Sequence, residues 1–164
     1  MGAYNSKQKK LIKNMTSVFL FKIYCLVKIP LLAWTGVKVV KLEEEGCITS
    51  VPFKNLNKNP FKSMYFASQA MAAELSTAGL VMLTKEIYEE SIAILVVGME
   101  TTYHKKANKK VYFECLDYST IKAAMKKAIA EKEGVEIKTT CVGKMKDGAH
   151  VSTFNVLWSV KVRS

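Results

Sequence analysis

The chain has 164 residues, 49% of them hydrophobic and 24% charged, and a formal net charge of +11 from 25 Lys and Arg against 14 Asp and Glu. That balance excludes a disordered chain and fits one domain of ordinary size. The positive excess selects anionic partners, with nucleic acid, acidic lipid head groups and phosphorylated small molecules all open on charge alone.

Lys7, Lys9 and Lys10 precede an apolar stretch over residues 11–34, interrupted by Lys13, Lys22 and Lys28. The runs between lysines fall short of the roughly 18–20 apolar residues a spanning helix needs. Residues 11–29 read as one N-terminal helix, closed by Pro30, with Leu11, Ile12, Met15, Val18, Phe19, Ile23 and Leu26 on one side. Its expected place is against the domain, with contact to a membrane surface as the second reading.

Gly36 opens a strand, VKVVKLE, and a turn at Glu44-Glu45-Gly46 leads into the alternating CITSVPF, which makes a hairpin. Residues 55–62 read as a loop. Ser63 is placed to cap a helix over residues 64–83, rich in Ala, Ser and Gly, whose small side chains let a sheet approach the backbone closely. Residues 92–99 form an unbroken apolar run and read as a buried strand continuing to Tyr103, followed by a basic turn, HKKANKK.

A strand over residues 111–116 follows. Asp117 or Ser119 caps a helix over residues 120–133, with Ile121, Ala124, Met125, Ala128 and Ile129 inward and Gly134 at its end. VEIKTTCVG alternates, Asp147-Gly148 signals a tight turn, and the last strand points Phe154, Val156, Trp158, Val160 and Val162 one way. The order gives an α+β fold with one antiparallel sheet. Residues 1–35 are a helical extension packed on a domain of residues 36–164.

Cys25, Cys47, Cys115 and Cys141 lie in apolar or strand-like stretches without a C-x-x-C pair, as buried free thiols do, which suits a reducing, cytoplasmic setting. Two histidines and no paired cysteines give no metal site. One lysine cluster without a recognised DNA- or RNA-binding motif argues against nucleic acid. His104 and His150 have no nucleophile partner in the sequence and receive no catalytic role.

The stretch NPFKSMYFASQAMAAE, residues 59–74, carries the chemistry. It places Glu74 among Ala70, Met71, Ala73 and Ala78, where an unpaired carboxylate is costly to bury. With the long small-residue helix and the strands after it, residues 36–163 resemble the hotdog fold, in which a curved antiparallel sheet wraps one central helix. Asn59 stands 15 positions before Glu74, similar to the spacing in phenylacetate-degradation-type thioesterases. The His-Gly-Gly of many hotdog thioesterases falls here on Tyr65, Phe66 and Ala67. The segment resembles a hotdog branch carrying Ser-Met-Tyr or Thr-Met-Phe at that place.

The resemblance implies an acyl-CoA thioester hydrolase. Glu74 would be base or nucleophile, a backbone N–H of Tyr65 or Phe66 the oxyanion donor, and Asn59 the residue that orients water or substrate across a dimer interface. Lys105, Lys106, Lys109 and Lys110 suit the phosphates of coenzyme A, which enters as part of the substrate and not as a cofactor. The assembly implied is a homodimer or a dimer of dimers. The alternative is a non-catalytic acyl-CoA or acyl-chain binding protein that keeps the pocket without the chemistry.

Overall fold

The computed structural model describes residues 4–163. Six antiparallel strands form one sheet in the order β1-β2-β4-β5-β6-β3, with β1 Lys38–Glu43, β2 Gly46–Val51, β3 Ile92–Tyr103, β4 Val111–Cys115, β5 Val135–Met145 and β6 His150–Val162. The helix α4, Phe66–Lys85, crosses the inner face of this curved sheet. Helix α5, Tyr118–Glu131, packs beside it on β5 and β6, burying Ile121, Met125 and Ala128. Three helices precede the sheet: α1 Ser6–Thr16, α2 Val18–Lys28 and α3 Pro30–Thr35.

Composition dictates how close α4 comes to the sheet. Cys47 on β2 pairs with Cys115 on β4, and Cys115 pairs with Cys141 on β5, so three cysteines form a row across three strands. All three are fully buried free thiols. Ala72, Ala73, Ser76 and Gly79 of α4 are fully or almost fully buried. Cys141 Sγ lies 3.6 Å from the Ala73 carbonyl oxygen, and a Cβ on Gly79 would stand 2.8 Å from Cys47 Sγ. Thr49 Oγ1 donates to the Ala72 carbonyl at 2.6 Å and fixes the helix on β2. Desolvation pushes the Cys115 and Cys141 thiols up to about 12, so they pack as small apolar groups.

The hairpin turns fall where the residue types require them. Gly148 adopts φ +81° in the Asp147-Gly148 turn, and its N–H donates to the Met145 carbonyl. The inward alternation of β5 and β6 follows the sequence pattern, with Ile137, Thr139 and Cys141 facing Phe154, Val156 and Trp158 across the pair.

Four expectations require correction. The N-terminal segment is not one helix. Ser17, at ψ +114°, breaks it, and its side chain caps α2 through the Leu20 N–H. The break resets the helical phase: Met15, Phe21 and Cys25 turn inward, while Val18, Phe19, Ile23 and Leu26 face out. Ser63 is not the cap of the long helix. Its hydroxyl lies 3.4 Å from the Ala107 carbonyl, and the cap position belongs to Tyr65, whose side chain makes no capping bond. The apolar run at residues 92–99 is not buried on both faces: β3 lies at one edge of the sheet, and its outer face leaves Leu95, Val97 and Met99 exposed. Lys132, not Gly134, takes the left-handed position after α5 at φ +55°. The basic turn is anchored beside the start of α4: Ala107 is fully buried and its carbonyl accepts from the Met64 N–H at 2.7 Å.

The helical extension is tied to the sheet domain at α1. Asn5 and Gln8 form a reciprocal cap at the start of α1, while Asn5 Nδ2 donates to the Glu86 carbonyl and Gln8 Nε2 to that of Leu83. Tyr4 accepts from the Glu44 N–H at the β1–β2 turn.

The close approach of α4 predicts that Gly79→Ala lowers stability by about 1–3 kcal/mol through overpacking against Cys47. Thermal unfolding of the variant beside wild type measures it.

Candidate functional site

The inner stripe of α4 fixes what its other side carries. With Ala73, Ser76 and Gly79 against the sheet, Met71, Glu74, Ala78 and Met82 turn toward the N-terminal helices. There they floor a cavity of about 670 Å³, walled by residues that include Met15, Leu20, Tyr24, Leu31 and Leu32. The Glu74 carboxylate is half-buried and has no hydrogen bond or ion pair among the described residues. Burial without a compensating donor raises its pKa above the usual carboxylate range. A carboxylate kept unpaired in an apolar cavity is a proton acceptor with a raised affinity for its proton.

A second cavity, of about 580 Å³, opens at the start of α4 and is lined in part by Asn59, Tyr65, Phe66, Gln69, Lys105 and Lys106. Five of the residues singled out in the sequence therefore meet here. The Tyr65 N–H is already spent on the Asn57 carbonyl at 2.7 Å. The N–H groups of Phe66 and Ala67, in the first turn, have no partner among the described residues. They point along the positive end of the helix dipole, where a developing oxyanion is stabilised. Asn59 is engaged in its own turn: its Oδ1 accepts from Phe61 N–H at 3.0 Å and from Ser63 N–H at 3.1 Å.

The four lysines divide. Lys105 and Lys106 border the cavity at the start of α4. Lys109 pairs with Asp147 at 2.9 Å, and Lys110 lies over the Tyr112 ring. His104, also at the cavity, and His150 both reach Thr153 Oγ1, at 3.0 and 2.9 Å, with their rings 4.3 Å apart.

Glu74 stands apart from these groups. Eight residues of α-helix separate it from Phe66, about 12 Å along the axis. No single carbonyl within one chain touches both the carboxylate and the helix-start donors.

The sequence reading passed over Gln69 and Asn57. Gln69 is buried at the second cavity and its Oε1 accepts from Ser152 at 3.0 Å. Asn57 is fully buried; its Nδ2 donates to the Thr35 and Pro52 carbonyls, and its Oδ1 has no partner. A polar residue inside an otherwise small-residue helix was the available signal for Gln69. Nothing local distinguished Asn57 from Asn55 or Asn59. The N-terminal wall of the Glu74 cavity was also missed, because helical periodicity does not say where a helix folds back.

Solved structures share this architecture over almost the whole chain. A Pseudomonas aeruginosa protein described as of unknown function and as a "Probable Thioesterase" superposes with a TM-score of 0.75 at 17% identity, covering 99% of this chain and 100% of that one. This is the hotdog fold. A Chlorobaculum tepidum protein of unknown function gives a TM-score of 0.75 at 14% identity over 95% of this chain and 94% of its own. A thioesterase from Haemophilus influenzae gives 0.64 at 10% identity over 93% and 95%. No family model and no curated protein matches the chain.

The raised Glu74 pKa has a consequence for stability. Unfolded, the group titrates in the ordinary carboxylate range; folded, it titrates above that range. Near pH 4 and below, the folded group is protonated and burial costs little. As the pH rises through the folded pKa, the cavity must hold a charge and stability falls. Glu74→Gln is therefore expected to unfold at a higher temperature than wild type at about pH 8, with the difference closing at about pH 4. Melting curves across that range read the effect.

Proposed function

We propose that the chain is an acyl-thioester hydrolase whose base is Glu74. The observation that carries this reading is the Glu74 carboxylate on the floor of an apolar cavity, on the helix whose start carries the Phe66 and Ala67 N–H groups, all three without a partner among the described residues. The cavity accepts an acyl chain. Glu74 takes a proton from water, and the water oxygen attacks the thioester carbon. The carbonyl oxygen becomes an oxyanion received by the N–H groups of Phe66 and Ala67. The C–S bond breaks, the proton held by Glu74 passes to the thiolate, and a carboxylic acid and a thiol leave.

On this reading the base and the donors, about 12 Å apart along one helix, come from two copies. Glu74 of one protomer works with the helix start of the other, in a homodimer. The exposed edge β3, 12 residues long with Leu95, Val97 and Met99 uncovered, supports pairing of that kind. Asn59 stands beside the helix-start donors and borders the substrate there. Coenzyme A is the proposed thiol, with Lys105 and Lys106 on its phosphates.

The replacement of His-Gly-Gly by Tyr65-Phe66-Ala67 favours a second reading, an acyl-CoA binding protein without hydrolysis. A hydrolysis assay across short, medium, long and aryl acyl-CoA thioesters separates the two. On the first reading Glu74→Gln keeps the fold and removes most of the activity, about 100-fold or more. The wild-type rate falls as the pH drops through the raised Glu74 pKa, since the base must be ionised. Binding without turnover in wild type establishes the second reading instead.

Changing Lys105 and Lys106 together to Ala is expected to raise KM for acyl-CoA while kcat holds, and changing Lys109 and Lys110 to do much less. Steady-state kinetics on the two double variants tests the division.

A further inference from the structure

The outward surface of α2 is apolar where a helix at the surface of a protein in water is ordinarily charged. Phe21 and Cys25 turn inward. Around the rest of the helix Leu26, Phe19, Ile23, Val27, Leu20 and Tyr24 follow one another through an arc of roughly 160° at 100° per residue. All six are exposed, Phe19 at 71% and Val27 at 72%. Lys22 and Lys28 stand at the two borders of the arc. Leu31 and Trp34 of α3 are also exposed.

The charge around this surface selects its occupant. Residues 1–42 hold eight lysines and neither Asp nor Glu; Lys7 and Lys41 pair with Glu89 and Glu43, and the other six, Lys22 and Lys28 among them, have no ion pair among the described residues. Two copies of so one-sided a surface repel each other. An anionic bilayer offers both an apolar interior for the arc and negative head groups for the lysines. Tyr24 and Trp34 are of the residue types enriched at the head-group level. Among the described residues no helix is long and apolar enough to cross a membrane, so the geometry is that of a helix lying in the surface.

We propose that α2 docks the protein on an anionic lipid bilayer through the arc from Leu26 to Tyr24, with Lys22 and Lys28 on the head groups. Leu20, Ile23 and Tyr24 also line the Glu74 cavity, so the docking face and the cavity wall are continuous. On the hydrolase reading above, an acyl chain held in the bilayer then reaches Glu74 without crossing water.

The test is co-sedimentation of the full chain with vesicles of phosphatidylcholine alone and of phosphatidylcholine with phosphatidylserine, roughly 7:3, with no thioester present. The chain is expected to pellet with the mixed vesicles and to be released by salt. Phe19→Asp with Val27→Asp is expected to weaken this by about tenfold or more, leaving the circular dichroism spectrum and any hydrolysis of a short soluble thioester unchanged. Lys22→Glu with Lys28→Glu weakens it as well. Failure of wild type to pellet with mixed vesicles at low salt overturns the proposal, as does pelleting that ignores Phe19 and Val27. So does a wild-type oligomer, in sedimentation velocity without vesicles, that the Phe19 and Val27 changes dissociate, since the arc is then buried between copies. Vesicle binding by a chain that hydrolyses nothing supports the docking and removes only the hydrolase reading.

Discussion

The close seating of α4 on the sheet is the constraint from which the rest follows. Small side chains on α4, facing a row of cysteines, let the helix backbone touch the strands' side chains directly. Ala73, Ser76 and Gly79 meet Cys47 and Cys141, and even a Cβ on Gly79 does not fit against Cys47 without movement. The seating also decides orientation. Once the small stripe faces the strands, the helix has one rotation, and Glu74 is carried to the far side.

On that far side the N-terminal helices convert an exposed helix face into a cavity. Their hold on the domain is polar at α1, through Asn5, Gln8 and Tyr4, and apolar further along, through Met15, Phe21, Cys25 and Leu32. The extension thus has two surfaces with different roles. One walls in Glu74 and raises its proton affinity; the other presents an apolar arc between two lysines. A carboxylate in this setting costs stability at neutral pH.

Much of the fold was legible in the sequence because its signals are periodic. The alternation in residues 135–141 and 154–162, the Asp147-Gly148 turn and the small-residue helix each carry a single reading, and together they specify the α+β order. Glu74 was legible for the same reason, as the one carboxylate in an apolar helix. What escaped was set by the folded arrangement rather than by the local pattern. The apolar run at residues 92–99 reads the same in a central strand as in an edge strand whose outer side is uncovered. Ser17 breaks a helix that propensity alone would continue, and its capping bond is a property of the folded backbone. The lysines of residues 105–110 look like one cluster, yet the folded chain divides them: Asp147, distant in sequence, holds Lys109, and the Tyr112 ring two residues on holds Lys110. Asn57 could not be told from its neighbours because its partners are the carbonyls of Thr35 and Pro52.

The proposed chemistry depends on one spatial relation, in which the Glu74 carboxylate of one protomer serves the helix-start N–H groups of another. Subunit complementation tests it most directly. Phe66→Pro removes the N–H at the first helical position, where proline is tolerated, and leaves Glu74 in place. Glu74→Gln does the reverse. Each variant alone is expected to hydrolyse acyl-CoA poorly. After unfolding and refolding together at equal amounts, random pairing returns about a quarter of the wild-type rate, because half the dimers are mixed and each has one intact site. A mixture no more active than its two components contradicts a site shared between protomers.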